Sequence, residues 1–145
     1  MLAFSASRFM PTFTVPFISS FVYNLFLYKK THLDSAIYEH QVLGAHTDVI
    51  YFEYSSQKQS TAVTKYIWSH PGLRPYGQTL ETQCPDCNGL RTWTRKPSAQ
   101  VEQITLKCKV ANCPAEKVFS MPAGMTFIRG GGHEDERGTW MKFTL

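Results

Sequence analysis

Apolar side chains recur at helical spacing in the first thirty residues of the chain. From Pro16 onward the apolar residues fall on one side of a helix: Phe17, Ile18, Phe21, Val22, Leu25 and Phe26. The polar residues Ser19, Ser20, Tyr23 and Asn24 fall mostly on the other side. Thr14 and Pro16 favour a helix start, because proline loses no hydrogen bond in the first helical turn. The pattern predicts an irregular or weakly extended leader over 1–13, then a helix to about Lys30 that packs on a core.

The next segment predicts a second helix and a strand. Thr31 is suited to cap a helix near Leu33–Leu43, since its hydroxyl can accept from the free amides of the first turn. Gly44 is typical of a helix end. The run Val49–Tyr54 is rich in β-branched and aromatic residues, which favours a strand with mostly buried faces.

A turn over 55–59 follows, and after it the pattern predicts a third helix. This helix begins at Ser60 or Thr61, runs through Trp68 and ends before Pro71. The order is then helix, helix, strand, helix. A single strand leaves both its edges unpaired, so further strands must come from the leader, from the C-terminal half or from another chain. The N-terminal half is also open to interpretation as the remnant of a larger α/β domain.

The C-terminal half contains short extended runs. Proline and glycine between 72 and 80 indicate a linker. The predicted strands after it are Leu90–Thr94, Val101–Lys107 and Val118–Met121, with a closing strand at Thr139–Leu145. We therefore predict an α+β protein with a helix-rich α/β region over 1–71, a linker over 72–80, and a zinc ribbon of short antiparallel strands with the closing strand over 81–145.

The four cysteines carry the strongest chemical signal. They form a C-x2-C pair and a C-x4-C pair twenty residues apart: Cys84, Cys87, Cys108 and Cys113. Two tight turns that each present two thiolates can supply the four tetrahedral ligands that structural Zn²⁺ requires. Four cysteines leave no open coordination position, so this zinc would be structural. The alternative is a set of free or disulfide-bonded cysteines, but their clustering in one segment favours metal and a reducing compartment, the nucleus or cytoplasm.

Charge and aromatic residues suggest nucleic acid as one partner class. The formal net charge is +4. Between 72 and 117 there are seven basic residues (Arg74, Arg91, Arg95, Lys96, Lys107, Lys109, Lys117) and four acids (Glu81, Asp86, Glu102, Glu116). Arg91, Trp93, Arg95 and Lys96 combine charge with an aromatic ring, and strand alternation places Arg91, Trp93 and Arg95 on one face. The alternative is that Trp93 covers a small core and that the charges only solubilise it.

A membrane role is the less favoured interpretation of the N-terminal segment. Residues 9–28 carry no charge and are bounded by Arg8 and by Lys29 and Lys30, which meets the minimum length for a membrane span. Prolines and polar residues dilute the segment, so a core helix is favoured over a membrane anchor, an uncleaved signal or an organelle presequence.

No residue is predicted to be catalytic. His46 and Asp48 precede the predicted strand, where catalytic residues do occur in α/β proteins. A His–Cys hydrolase would need a free cysteine, and all four are assigned to metal. We expect His46 to cap a helix or bond a loop, and no small-molecule substrate is implied.

Several short motifs resemble a group of uncharacterised zinc-ribbon proteins of mushroom-forming fungi. They are His46-Thr47-Asp48-Val49, Trp68-Ser69-His70-Pro71, Leu73-Arg74-Pro75-Tyr76-Gly77, Cys84-Pro85-Asp86-Cys87 and Gly138-Thr139-Trp140. The resemblance covers about residues 17–145. It implies zinc and a eukaryotic intracellular setting, and no site residues beyond the cysteines.

The sequence thus predicts a non-enzymatic binding protein whose zinc ribbon contacts nucleic acid or a protein partner. Two alternatives stay open. The chain could be an accessory or truncated C-terminal part of a larger α/β enzyme, or a membrane-anchored adaptor.

Overall fold

The structure, a computed structural model, describes residues 1–8, 10–29, 33–97, 102–129 and 138–145. The described α-helices are α1 (Pro11–Phe26), α2 (Leu33–Tyr38) and α3 (Gln41–Gly44), and a short 3-10 helix spans Pro75–Gly77. The strands are β1 (Leu2–Phe4), β2 (Val49–Ser55), β3 (Ser60–Ser69), β4 (Trp93–Arg95), β5 (Gln103–Cys108), β6 (Glu116–Ser120), β7 (Thr126–Phe127) and β8 (Thr139–Thr144). They form a five-stranded sheet in the order β1-β2-β3-β8-β7 and a three-stranded sheet in the order β4-β5-β6, both antiparallel. The predicted α+β class is confirmed.

The predicted third helix is wrong, because Ser60–Ser69 is the long central strand β3. It forms a hairpin with β2, with Val49 opposite Tyr66 and Ser55 opposite Ser60. The segment is rich in β-branched and aromatic residues, which suit a pleated surface. β8 pairs along the other side of β3. The two pairings satisfy the backbone on both sides of β3. The pairing with β8 joins residues seventy to eighty positions apart, and no local pattern in the sequence shows it.

The additional strands of this sheet come from the two ends of the chain. The leader contributes β1, whose Leu2 lies opposite Tyr51 of β2. The closing strand β8 was predicted to belong with the C-terminal ribbon, but it lies in the five-stranded sheet. There Trp140 lies opposite Trp68, and both are buried. β8 is held in this sheet by the packing of Trp140 beside Trp68 in the core below the helices.

Helix α1 begins three residues before Thr14, at Pro11, and Pro16 lies inside it. Its inner side buries Thr14 and Phe17, and the Phe17 ring packs edge-on against Phe4. Val22 and Phe26 were predicted to face the core but are exposed. Apolar residues extend more than halfway around the helix, so one packed side cannot cover them all.

The predicted second helix is divided into α2 and α3 around His40, whose backbone is not helical (φ −110°, ψ 58°). The predicted cap at Thr31 lies outside the described residues. α3 ends at Gly44, as predicted. No helix in the described part of the chain is both long and apolar enough to span a bilayer.

The five-stranded sheet separates two hydrophobic cores. Trp68 and Trp140 pack with the helices on one side. Ile67 and Met141, the neighbouring residues on the same two strands, pack on the other side with the residues of the three-stranded sheet. Because adjacent strand residues point to opposite faces, β3 and β8 connect the helical layer with the layer that contains the cysteines.

Candidate metal centre

The first cysteine pair lies on a tight backbone turn. Asn88 has a left-handed conformation (φ 57°), and its N–H donates to the Cys84 carbonyl at 2.9 Å. The Cys84 N–H donates to the Gly89 carbonyl, also at 2.9 Å. The turn therefore brings Cys84 and Cys87 to one side of the loop.

The second pair follows the end of β5. Cys108 is the last residue of the strand, and its N–H donates to the Ala115 carbonyl at 3.0 Å. Between the two cysteines the Cys113 N–H donates to the Val110 carbonyl at 3.1 Å, and Asn112 is left-handed (φ 61°). The wider C-x4-C spacing is thus closed into a compact loop.

The four sulfurs meet in one cluster. Their Sγ atoms all lie within 4.8 Å of one another. Cys84 Sγ lies 3.7 Å from Cys113 Sγ, and Cys87 Sγ lies 3.6 Å from Cys108 Sγ. These separations are far longer than a disulfide bond of about 2.05 Å, and all four cysteines are free. Cys84, Cys108 and Cys113 are buried and Cys87 is half-buried, so the cluster could hold a metal ion.

Backbone amides support the sulfurs in a repeated pattern. The amide of Gly89 bonds Cys87, that of Val110 bonds Cys108, and that of Ala115 bonds Cys113. Each amide belongs to the residue two positions after its cysteine. N–H groups directed at sulfur stabilise thiolates and orient them, which is what a metal ligand needs.

The thiols do not ionise alike in the absence of a cation. The pKa of Cys108 is lowered to about 7, mainly by the Thr92 hydroxyl, 3.3 Å from its sulfur. At Cys113 the Ala115 amide acts to lower the pKa, but burial and the three neighbouring sulfurs outweigh it and raise the pKa to about 12. Four thiolates this close need a compensating positive charge, so metal binding should release protons and weaken as the pH falls.

Thr92 is a supporting residue that the cysteine spacing could not reveal. We expect Thr92→Val to weaken metal affinity by about tenfold, the lower end for loss of a residue that supports a ligand. Competition with a chromogenic chelator measures this. Thr94→Val, two residues further along, is the matched control and should leave the affinity unchanged. Equal affinities for both variants would show that the hydroxyl does not support Cys108.

Trp93 faces inward rather than towards solvent. Its ring is buried, and its Nε1 donates to the Glu81 carbonyl at 2.8 Å. Lys117 Nζ lies 5.4 Å from the ring centroid and also pairs with Glu81. The indole therefore covers the core of the three-stranded sheet and offers no free face on which a base could stack.

The three basic residues predicted with Trp93 are dispersed. Arg95 shares the inward face of β4 with Trp93, as strand alternation predicts. Lys96 pairs with Glu116. Arg91 precedes the strand, with a left-handed backbone (φ 50°), and is exposed. Of the four residues, Arg91 alone is both exposed and without an ion pair among the described residues.

His46 and Asp48 have separate structural environments. His46 stacks on the Phe13 ring with 4.4 Å between centroids. Asp48 is buried and forms ion pairs with Lys65 (3.1 Å) and Arg74 (2.9 Å). Through Asp48 these ion pairs connect Arg74 of the predicted linker with Lys65 of β3. No spacing in the sequence indicated this connection.

A search of known protein families, of curated proteins and of solved structures finds no match to this chain. The resemblance to the fungal group therefore stays a prediction.

Proposed function

We propose that Cys84, Cys87, Cys108 and Cys113 bind one structural Zn²⁺ ion, and that the protein is a non-enzymatic zinc-ribbon binding protein. The sulfur geometry carries this proposal. A tetrahedral site with Zn–S bonds of about 2.3 Å has sulfurs about 3.8 Å apart. The two short separations here, 3.6 and 3.7 Å, are close to that value.

The ligand set favours a structural over a catalytic ion. Catalytic zinc keeps a position for water or substrate, whereas four cysteine ligands fill the tetrahedron. Three of the four cysteines also belong to the hydrophobic core that includes Ile67 and Met141. The ion would thus hold the two cysteine loops against the five-stranded sheet.

We propose nucleic acid as the partner, bound through phosphate charge. Support comes from Arg91, Lys107 and Lys109, which are exposed and form no ion pair within the described part of the chain. The Lys109 N–H donates to the Thr92 carbonyl at 2.7 Å, which places Lys109 beside the Arg91 turn. Because Trp93 is buried, contact would depend on cations rather than on base stacking, and would weaken with salt.

The double variant Arg91→Gln/Lys109→Gln tests this surface. Anisotropy of a labelled oligonucleotide should show weaker binding, and the slope of log K against log salt should become shallower by about 2 in magnitude because two phosphate contacts are lost. The control Arg8→Gln/Lys58→Gln removes the same charge from exposed sites outside this surface. An equal loss of oligonucleotide affinity in both variants would show that only the net charge matters and not this surface. If the parent does not bind the oligonucleotide, nucleic acid is excluded as the partner.

A protein partner is the second candidate, favoured by exposed apolar residues at the cysteine loops. Leu90 is 70% exposed and Val110 is 38% exposed. A Cβ placed on Gly89 would lie 2.8 Å from Val110 Cγ2, so the two loops touch here. If the oligonucleotide does not bind, a defined partner that binds the parent but not Leu90→Ser would support this candidate.

A further inference from the structure

The outward side of α1 is an apolar surface that no described element covers. Its members are Val15 (51% exposed), Val22 (42%), Tyr23 (59%) and Phe26 (71%), and Leu27 continues the surface beyond the helix end (66%). Val15, Val22 and Phe26 lie at spacings of seven and four residues and so align along one side of the helix. We call these five residues the α1 outer face.

This face differs from scattered surface apolar residues in that its helix contains no charged residue. The sixteen residues of α1 include no acid and no base. Solvated helix faces in globular proteins normally carry charged or polar side chains. On this side of α1, Ser19 is an exposed polar residue between Val15 and Val22, and the exposed apolar residues are closest together from Val22 to Leu27. A contiguous exposed apolar surface marks an interaction site.

Basic residues flank α1 in the sequence, and one of them follows the exposed apolar end of the face. Residues 1–33 contain Arg8, Lys29 and Lys30 and no acid. Lys29 is exposed just beyond Phe26 and Leu27. Arg8 is also exposed, but it lines a cavity with Phe13, Thr14 and His46 on another side of α1.

The first acid, Asp34, is neutralised by Lys142 at 2.5 Å and accepts from the Tyr66 hydroxyl at 2.9 Å. Glu39 is exposed near Thr12 and Pro16, at the N-terminal half of the helix. Glu53 is exposed on β2, two residues beyond Tyr51, whose ring contacts Phe21. Lys29 is therefore the cation that directly follows the exposed apolar end of α1, and it is the residue suited to an anionic surface.

The length of α1 is compatible with binding to a bilayer surface and not with crossing it. Sixteen residues extend about 24 Å, less than the hydrocarbon thickness of about 30 Å. Phe26 and Leu27 can enter the headgroup boundary while Lys29 reaches lipid phosphates, as in helices that lie in the interface. Tyr23 is an aromatic residue of the type enriched at that depth.

We propose that the α1 outer face docks on an anionic lipid bilayer, with Val22, Phe26 and Leu27 inserted at the interface and Lys29 contacting lipid phosphate. The helix remains packed on the sheet through Phe17, which is fully buried. Membrane binding thus requires no unfolding of the helical layer. The α1 outer face and the four cysteines lie on opposite sides of the five-stranded sheet, so lipid binding does not depend on the metal.

Flotation with vesicles of phosphatidylcholine containing phosphatidylserine tests the proposal on the full chain. The parent should float with these vesicles and much less with phosphatidylcholine alone. Phe26→Ser/Leu27→Ser should lower the partition coefficient by about tenfold or more, since membrane affinity scales with buried apolar area. Lys29→Gln should lower binding to anionic vesicles only.

Leu73→Ser/Val118→Ser is the matched control, because both residues are exposed apolar residues outside α1. Circular dichroism should show unchanged folding for both double variants, since all four positions are exposed. If the parent floats and Phe26→Ser/Leu27→Ser floats equally well, the proposal is overturned. A parent that does not float, but sediments as a dimer that this variant dissociates, would overturn it in favour of a second copy of the chain.

Discussion

Cys84→Ser is expected to abolish stoichiometric zinc binding and to unfold the cysteine-containing layer. Serine offers no thiolate, and the remaining three ligands leave the tetrahedron open. Structural zinc contributes on the order of 10 kcal/mol to the folding of small zinc peptides. Cys84 is fully buried in the core shared with Ile67 and Met141, so the loss should extend to the five-stranded sheet. We expect the melting temperature to fall by more than about 10 °C.

Asp86→Ser is the matched control for this variant. Asp86 lies between the two cysteines of the first loop and is exposed. Its substitution should preserve zinc content and melting temperature. A Cys84→Ser protein that melts like Asp86→Ser would mean that the sulfur cluster does not hold the fold together.

Gly44→Ala is expected to lower the free energy of unfolding by about 3 kcal/mol, at the upper end for overpacking a core, because it disturbs the helical layer. A Cβ on Gly44 would lie 2.2 Å from Trp68 Cβ and 2.4 Å from Trp68 Cγ. The Trp68 Cβ is fixed to β3, so the strand or α3 has to move. The ring cannot tilt freely either, because a Cβ on Gly138 would lie only 2.1 Å from Trp68 Cζ2. Trp68 is therefore held between two glycines.

Gly72→Ala separates this close contact from the general effect of replacing glycine. A Cβ on Gly72 would meet only His70 ring atoms, at 3.8 and 3.9 Å, which is ordinary contact. Chemical denaturation should give this variant nearly the stability of the parent. If Gly44→Ala is as stable as Gly72→Ala, the Trp68 contact is not tight in solution.

The cysteine cluster could be predicted because its signal is local. Each pair is close in sequence, and the turn residues around it determine the loop, as the left-handed Asn88 and Asn112 show. Only the meeting of the two pairs is long-range. The spacer contains two paired short strands, as predicted, but β4 begins at Trp93 rather than Leu90 and β5 at Gln103 rather than Val101. The supporting Thr92 was not predictable, since its contact with Cys108 depends on that pairing.

The N-terminal half shows why the remaining architecture was harder to predict. The helical period assigned to Ser60–Trp68 competes with an equally good strand pattern, and only pairing with β2 and with the distant β8 decides between them. The helix α1 was predicted from about Thr14 to Lys30 and lies at Pro11–Phe26. Of the side chains predicted to face the core, Phe17 is buried, whereas Val22 and Phe26 are exposed. The sequence of α1 is apolar over more than one face, so the residues that contact Phe4 and Tyr51 depend on where the sheet lies.

The zinc content of the purified full chain tests the central claim most directly. Native mass spectrometry and elemental analysis should find one zinc ion per chain before treatment with a strong chelator and none after it. Removal of the zinc should reduce the circular dichroism signal of the folded chain, because the layer that contains the cysteines unfolds. A protein that contains no zinc, takes up none on addition and still melts cooperatively at the same temperature would contradict the account.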